Sequence, residues 1–326
     1  MDISKKNLIL VSENLLSFLR DEIGDTKVDY EVPPSRIYGG LETSTFKFQL
    51  KNIHSSLAGP LALRVFNKLD RPKHQAIMER TIHNALVDQG LPVPYVHFAC
   101  SDLKYFGYSF LIREFLSGEI LPFVFGNDTN IMLGKTHAKL HNADPSRLNN
   151  DLIKEGFGNR QFSFEGTIDR LLETSKIFPW LGEIVNWLIE NRPSECKHPS
   201  ICHKDFHPGN LLAKNGKVSA ILDWSFFGIG DPAEDIAVTL VLNKAGGAKY
   251  EVPLFDPIMA NRMYLEAYKR ERELNEKYLG YYQALFCVLA FYSGVNGLLF
   301  WTKPQVQNDL IRIIYDFSKI RVLIPK

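Results

Sequence analysis

The chain has 326 residues, 45% of them hydrophobic and 23% charged, with a formal net charge of +1. That length builds one large or two smaller domains with real cores, and the charge balance carries no electrostatic footprint for nucleic acid or an anionic membrane. The four cysteines (Cys100, Cys196, Cys202 and Cys287) form no CxxC; with no secretory signal pattern at the start, they predict a reducing, cytoplasmic setting.

The opening, MDISKKNLILVSENLLSFLR, spaces charges through apolar residues at helical intervals and predicts an amphipathic helix. Residues 25–68 are β-rich: TKVDYEVPPSRIYGG, TSTFKFQLK and GPLALRVFNK form three strand-like runs parted by Gly39-Gly40 and by SSLAGP. Residues 72–90 are helical in pattern and stop at Gly90, with Pro92 and Pro94 beyond. VPYVHFACSD and YSFLIREFL then predict two more strands, giving a small α+β domain of about five strands over residues 1–116.

The LSG turn at 116–118 marks the expected boundary, and residues 117–326 form the second, mostly helical domain. Helices are predicted at 127–143, 166–176 and 179–191, a loop–strand–loop–strand run at 200–224, and helix almost throughout beyond Asp231. From Tyr278 to Thr302 there is no charged residue, but Gln283, Ser293, Gly294, Asn296 and Gly297 interrupt the apolar character. A helix or helix pair buried in a helical domain is therefore expected there, not a membrane span.

The chemistry concentrates in ICHKDFHPGNLL, residues 201–212, where His203, Asp205 and Asn210 are followed thirteen residues later by Asp223 in AILDW. A carboxylate, an amide five residues on and a second carboxylate suit phosphoryl transfer: one orients a hydroxyl nucleophile and two hold Mg²⁺. The same loop also reads as HxDxH, a Zn²⁺-type pattern of His203, Asp205 and His207, although the remaining histidines supply no motif to complete it. Pro208 and Gly209 are turn formers under either reading. Asp223 follows the apolar Ala220, Ile221 and Leu222, where a carboxylate needs a partner or a metal. Asp231 and Asp235, in GDPAEDIA, stand where helix capping explains at least one of them.

Three further features lie in the first domain. Gly39-Gly40 is either a tight hairpin turn or a loop whose amides approach phosphate. Arg64, in LALRVF, shares a strand face with Ala62 and Phe66 while Leu61, Leu63 and Val65 take the other; it is either an edge-strand charge or a cation aimed at an anion. Glu79, on the following helix, either pairs with Arg64 or lies on a solvated face.

HKDFHPGNLL, AILDW and GDPAEDIA, in this order, resemble the aminoglycoside phosphotransferase-like family of small-molecule kinases, distantly related to protein kinases. The likeness extends over most of the chain: LALRV resembles the strand bearing the phosphate-binding cation, FLIREFLSG the hinge, and LGKTHAKLH the first long helix of the larger lobe. The resemblance implies a bilobal protein-kinase-like fold with a small β-rich lobe and a helical lobe. It implies Asp205 as catalytic base, Asn210 and Asp223 as Mg²⁺ ligands, and His203 as a structural brace. Gly39, Gly40, Thr43, Arg64, Glu79, Glu114 and Leu116 would serve ATP or GTP, the last two by backbone hydrogen bonds to the base. Arg64 stands where many members have Lys, and Glu42 brings an acidic side chain to the phosphate loop. The expected activity is Mg²⁺-dependent transfer of a γ-phosphoryl group to a hydroxyl of a small molecule, with no nucleic-acid or membrane partner. The alternative is a catalytically silent, nucleotide-binding pseudokinase. The acceptor would lie against residues 230–301, where mixed charge and aromatic residues fit a neutral or partly apolar molecule better than a polycation.

Overall fold

The structure, a computed structural model, describes residues 8–37, 43–51, 53, 55–66, 74–121, 127–158, 164–194, 196–246 and 256–325. Gly39, Gly40 and Glu42 lie outside these residues. The chain forms two compact units. The first holds Met1–Gly118, Asn150–Phe157 and Ser219–Leu222; the second holds Glu119–Asn149, Gly158–Val218 and Asp223–Lys326.

The first unit opens with helix α1 (Leu8–Ile23). Strands β1 (Asp29–Ile37), β2 (Thr43–Lys51) and β3 (Leu61–Phe66) follow, then helix α2 (Gln75–Val87) and strands β4 (Val96–Cys100) and β5 (Phe110–Glu114). The strands make one antiparallel sheet of order β1-β2-β3-β5-β4, so β3 is its middle strand. Alternation decides the two faces. Leu61, Leu63 and Val65 join Phe46, Phe48, Phe110 and Ile112 in a core closed by Val11, Leu15, Phe18 and Leu19 of α1. Phe66 and Leu111 face the other way, with Ala76 of α2 and Val96. Phe18 meets Phe110 edge to face at 4.8 Å, a contact adding about 0.5–1.5 kcal/mol beyond its buried area.

The second unit contains strand β6 (Glu119–Ile120) and helices α3 (Asn127–His141), α5 (Phe164–Ile177) and α6 (Gly182–Glu190); between α3 and α5 the chain makes helix α4 (Pro145–Lys154). Strand β7 (Ser200–Cys202) enters the loop of interest, and β8 (Leu211–Lys214) and β9 (Lys217–Ile221) leave it. Then come β10 (Gly228–Gly230), α7 (Pro232–Gly246), α8 (Pro257–Glu271), α9 (Leu279–Val295) and α10 (Pro304–Ser318). β7 pairs antiparallel with β10, and β6 with β8. The uncharged run 278–302 resolves into the 17-residue α9, packed by α5, α7 and α10, and a 3₁₀ turn at Leu299–Thr302. Among the described residues no helix is long and apolar enough to cross a membrane.

Helix α4 is absent from the sequence-based elements: its opening PSRLNN gives few apolar repeats to read. α3 and α8 approach closely because Gly134 has no side chain. A Cβ there would stand 2.3 Å from the Tyr264 carbonyl oxygen and 3.0 Å from the Tyr268 nitrogen. This close approach brings the Tyr264 hydroxyl of α8 to His137 Nδ1 of α3 at 2.6 Å.

Candidate active site

In the first unit, Arg64 pairs with Thr45 on one side and Leu111 on the other, an interior strand position rather than an edge. Its guanidinium is buried. Glu79 of α2 is fully buried as well, and the two approach at 3.5 Å; Gln75, one turn earlier, donates to Glu79 Oε1 at 3.4 Å. The solvated-face reading of Glu79 therefore fails: a carboxylate and a guanidinium taken from water together offset each other's desolvation. Thr43 begins β2 opposite Phe66, half-buried. The Glu114 amide donates to the Tyr95 carbonyl at 2.9 Å and the Phe115 amide to the Pro60 carbonyl at 2.9 Å. Two of the three amides from Glu114 to Leu116 are thus engaged inside this unit.

The loop after β7 lies wholly within the second unit. His203 is buried, its ring 4.6 Å from that of Trp224 and 5.7 Å from that of Phe206. Asp205 is half-buried, with 26% of its side chain exposed. Asn210 turns its amide nitrogen back to Asp205 and donates to the backbone carbonyl at 3.0 Å and to carboxylate Oδ2 at 2.9 Å. The amide oxygen of Asn210 is thereby left for another partner, such as a hard cation. His207 caps the 3₁₀ turn Pro208–Asn210: its Nδ1 accepts the Gly209 amide at 3.1 Å. An accepting Nδ1 places the proton on Nε2, which faces Asp205 Oδ1 at 3.6 Å.

Asp223 stands two residues beyond β9 in the left-handed region, with φ 62°. It is half-buried, not sealed at the end of the strand, so a deep apolar burial does not describe it. A non-glycine residue holds this backbone only when its surroundings over-determine it. Buried Ile221 and Trp224 flank the short turn, and the Ser225 hydroxyl donates to Asp223 Oδ1 at 2.7 Å. A carboxylate and a carboxamide oxygen are the donor types that Mg²⁺ takes, so Asp223 and Asn210 fit that ion by chemistry.

Beside His203, the loop is held by Asp235 and a buried cluster behind it. Asp231 behaves as a cap, accepting the Ala233 amide at 2.9 Å. Asp235, four residues on, does not. It is fully buried and accepts the amides of His203 at 2.5 Å and Lys204 at 2.7 Å. His137 and His141, one turn apart on α3, point Nε2 at the same Asp235 Oδ2, at 3.0 and 3.2 Å. Behind them Tyr264 and Tyr268, one turn apart on α8, meet the two Nδ1 atoms at 2.6 and 2.8 Å. Burial acts to raise the Asp235 carboxyl, but the two imidazoles facing it outweigh burial and hold it well below the usual carboxylate range. Burial, with His137 alongside, pushes His141 down to about 4, and burial lowers His137 too. The cluster at neutral pH is one carboxylate and two neutral imidazoles. The signal available in the sequence was the matched spacing of two histidines and two tyrosines. Among the described residues the trio with metal-ligand proximity is this one, not the HxDxH of the loop.

The sequence model of the phosphotransferase enzyme family matches residues 35–274. Acyl-CoA dehydrogenase family member 11 of Pongo abelii is 30% identical over 176 residues, which are 50% of this chain and 22% of that protein. Its Gallus gallus counterpart is 29% identical over 191 residues, 55% of this chain and 23% of that protein. The match thus spans less than a quarter of these relatives' length. Among solved structures, a thermostable mutant of aminoglycoside phosphotransferase APH(4)-Ia in ternary complex with ADP and hygromycin B is similar at TM-score 0.63. It is 17% identical, with 92% of this chain and 98% of that chain covered. Macrolide 2′-phosphotransferase MphH from Brachybacterium faecium is similar at TM-score 0.57 and 16% identity, with 95% and 99% covered. At these identities the likeness is one of fold, the α+β protein-kinase-like fold of two units.

Proposed function

Because the chain belongs to the phosphotransferase enzyme family, we propose that it transfers the γ-phosphoryl group of ATP or GTP to a hydroxyl of a small molecule. The observation that carries this reading is the grip of Asn210 on Asp205. One amide fixes both the backbone and the carboxylate of the residue that must meet the acceptor, while the carboxylate keeps an exposed edge.

In this reaction the acceptor oxygen bonds to the γ-phosphorus as the bond to the β–γ bridging oxygen breaks, and a nucleoside diphosphate leaves. Asp205 orients the hydroxyl and accepts its proton. Asn210 and Asp223 would hold Mg²⁺, which would supply counter-charge to the phosphates. Arg64, aimed by Glu79, offers a fixed cation for phosphate oxygens, with a bidentate fork in place of an ammonium. Gly39, Gly40 and Thr43 would cover the phosphates. The Leu116 amide and the Glu114 carbonyl are the backbone groups for the base, since the Glu114 and Phe115 amides are engaged already. His203 supports the loop from below.

The solved structures bind or are named for antibiotics, and the curated relatives carry acyl-CoA dehydrogenase names. Together these set the acceptor panel: aminoglycosides, macrolides and hydroxyacyl thioesters, beside simple sugar, amino-acid and choline-like alcohols. A thermal-shift series with ATP and GTP, each with and without Mg²⁺, tests the nucleotide half of the proposal. Stabilisation that requires both nucleotide and Mg²⁺ supports it; equal melting temperatures under all four conditions would rule it out.

A further inference from the structure

We propose that His137 is a positioning residue for the 203–210 loop, locking the chain on both sides of Asp205 at once. On the near side it acts through Asp235. His137 Nε2 lies 3.0 Å from Asp235 Oδ2, and that carboxylate holds the amides of His203 and Lys204. On the far side it acts directly: the imidazole stacks on the ring of Phe206, centroids 4.0 Å apart and planes 23° from parallel. The Phe206 carbonyl is fastened in turn by the Thr239 hydroxyl of α7 at 2.8 Å. Asp205 is therefore the one residue between two pinned neighbours.

The pinning opposes a real tendency to relax. Lys204 sits at φ 60°, in the left-handed region that a side chain with Cβ enters only under constraint. Its amide is held by Asp235 and its ammonium by Glu234 at 2.8 Å. Tyr264, 2.6 Å behind His137 Nδ1, fixes the ring's orientation, and Gly134 is what lets α8 bring that hydroxyl so close. His141 meets the same carboxylate oxygen, but its ring neighbours are His137 at 4.2 Å and Tyr268 at 5.6 Å rather than a ring of the loop, and its backbone carbonyl accepts from Arg272 at 2.6 Å. The ring of residue 137 is thus the one that couples helix α3 to both flanks of the base. The same trio also has the proximity of a metal site. The hydrogen-bonded reading is preferred because each of the four imidazole nitrogens already has a protein partner: Asp235 for both Nε2 atoms, Tyr264 and Tyr268 for the Nδ1 atoms.

This inference rests on the proposed phosphotransfer for its kinetic meaning, but its structural core is testable without substrate. Amide hydrogen exchange over residues 200–210 is measured for the full chain, for His137→Phe, which keeps the stack and deletes the hydrogen bonds, and for His137→Gln, which restores a donor toward Asp235. Tyr264→Phe serves as a milder second variant that removes one hydroxyl. The expected result is lost protection at the 203 and 204 amides in His137→Phe, a smaller loss in Tyr264→Phe and partial recovery in His137→Gln, with helices elsewhere unchanged. Alongside it, kcat should fall roughly ten- to hundred-fold in His137→Phe at near-constant KM for nucleotide. Unchanged loop exchange in both His137→Phe and Tyr264→Phe overturns the proposal, as does stoichiometric zinc in the purified protein that His137→Phe abolishes. Absent phosphotransfer by the unaltered chain would count against the proposed function and leave the exchange comparison to decide the role of His137.

Discussion

Asn210 donates one side-chain amide to two oxygens of Asp205, its backbone carbonyl at 3.0 Å and its carboxylate at 2.9 Å. A residue five positions downstream thereby sets both the path of the chain and the aim of the carboxylate. Asp205→Ala should lower kcat by roughly 10²–10⁴ while the melting temperature stays close to that of the unaltered protein, because the side chain is partly exposed and packs little. Steady-state kinetics and a melting curve on the same sample check both halves.

Asn210→Ala removes the grip and the proposed metal oxygen together. The concentration of Mg²⁺ giving half-maximal activity should rise, and kcat should fall. Asp223→Ala should show the same shift toward higher Mg²⁺ without loosening Asp205, and EDTA should abolish activity in the unaltered protein and Mg²⁺ restore it. An Mg²⁺ titration that superimposes for all three proteins would remove Asn210 and Asp223 from the metal site.

Arg64 and Glu79 are both buried and meet at 3.5 Å in the interior of the first unit. Glu79→Ala leaves a guanidinium without its carboxylate in low dielectric, so stability should drop by about 3–5 kcal/mol. Arg64→Lys keeps the charge but loses the fork, so it should be mild for stability and raise the nucleotide KM more than it lowers kcat. Urea unfolding and nucleotide titrations separate the two effects.

Gly134→Ala tests the approach of α3 to α8. The added Cβ meets a backbone oxygen, Tyr264 O, at 2.3 Å, and backbone cannot rotate away as a side chain does. Overpacking of this kind costs about 1–3 kcal/mol, read as a lower denaturation midpoint, and protection at the 203 and 204 amides should weaken with it.

Stability should also fall with acid in a particular window. His141 is pushed down to about 4 by burial and by His137, from an ordinary value of 6.5. Between those values the unfolded chain binds the proton that the folded chain refuses. The stabilising contribution is therefore fully present above about pH 6.5 and is lost as pH falls toward 4, about 3 kcal/mol for this residue. Asp235, held low by the same imidazoles, adds a loss at still lower pH. His141→Gln should be less stable at pH 7 yet show a flatter fall between pH 6.5 and 4; parallel slopes would contradict the assignment.

Much of this was legible in the chain itself. Alternation in LALRVF separates Leu61, Leu63 and Val65 from Arg64 because a strand has period two, and the neighbouring helix offers Glu79 as the nearest carboxylate. The spacing of Asp205, Asn210 and Asp223 is local, so it survives in the sequence. Asp235 is different. As the fourth residue of α7 it looks like first-turn charge matching the helix dipole, and only the tertiary fold turns it inward onto the His203 and Lys204 amides. The pairing of His137 with Tyr264 spans 127 positions, and nothing in either segment alone reveals it. The left-handed backbone of Asp223 and Lys204 was likewise hidden, since a residue's φ is set by what surrounds it and neither residue is glycine.

The central claim is that Asp205 serves transfer of phosphate to a small-molecule hydroxyl. The most direct measurement is phosphate-ester formation, followed by ³¹P NMR and mass shift, from ATP or GTP with Mg²⁺ and the acceptor panel, for the unaltered protein beside Asp205→Ala. The account predicts a new phosphomonoester with the unaltered chain and its loss, by roughly 10² or more, with Asp205→Ala. Ester formation at the same rate by both proteins would contradict it.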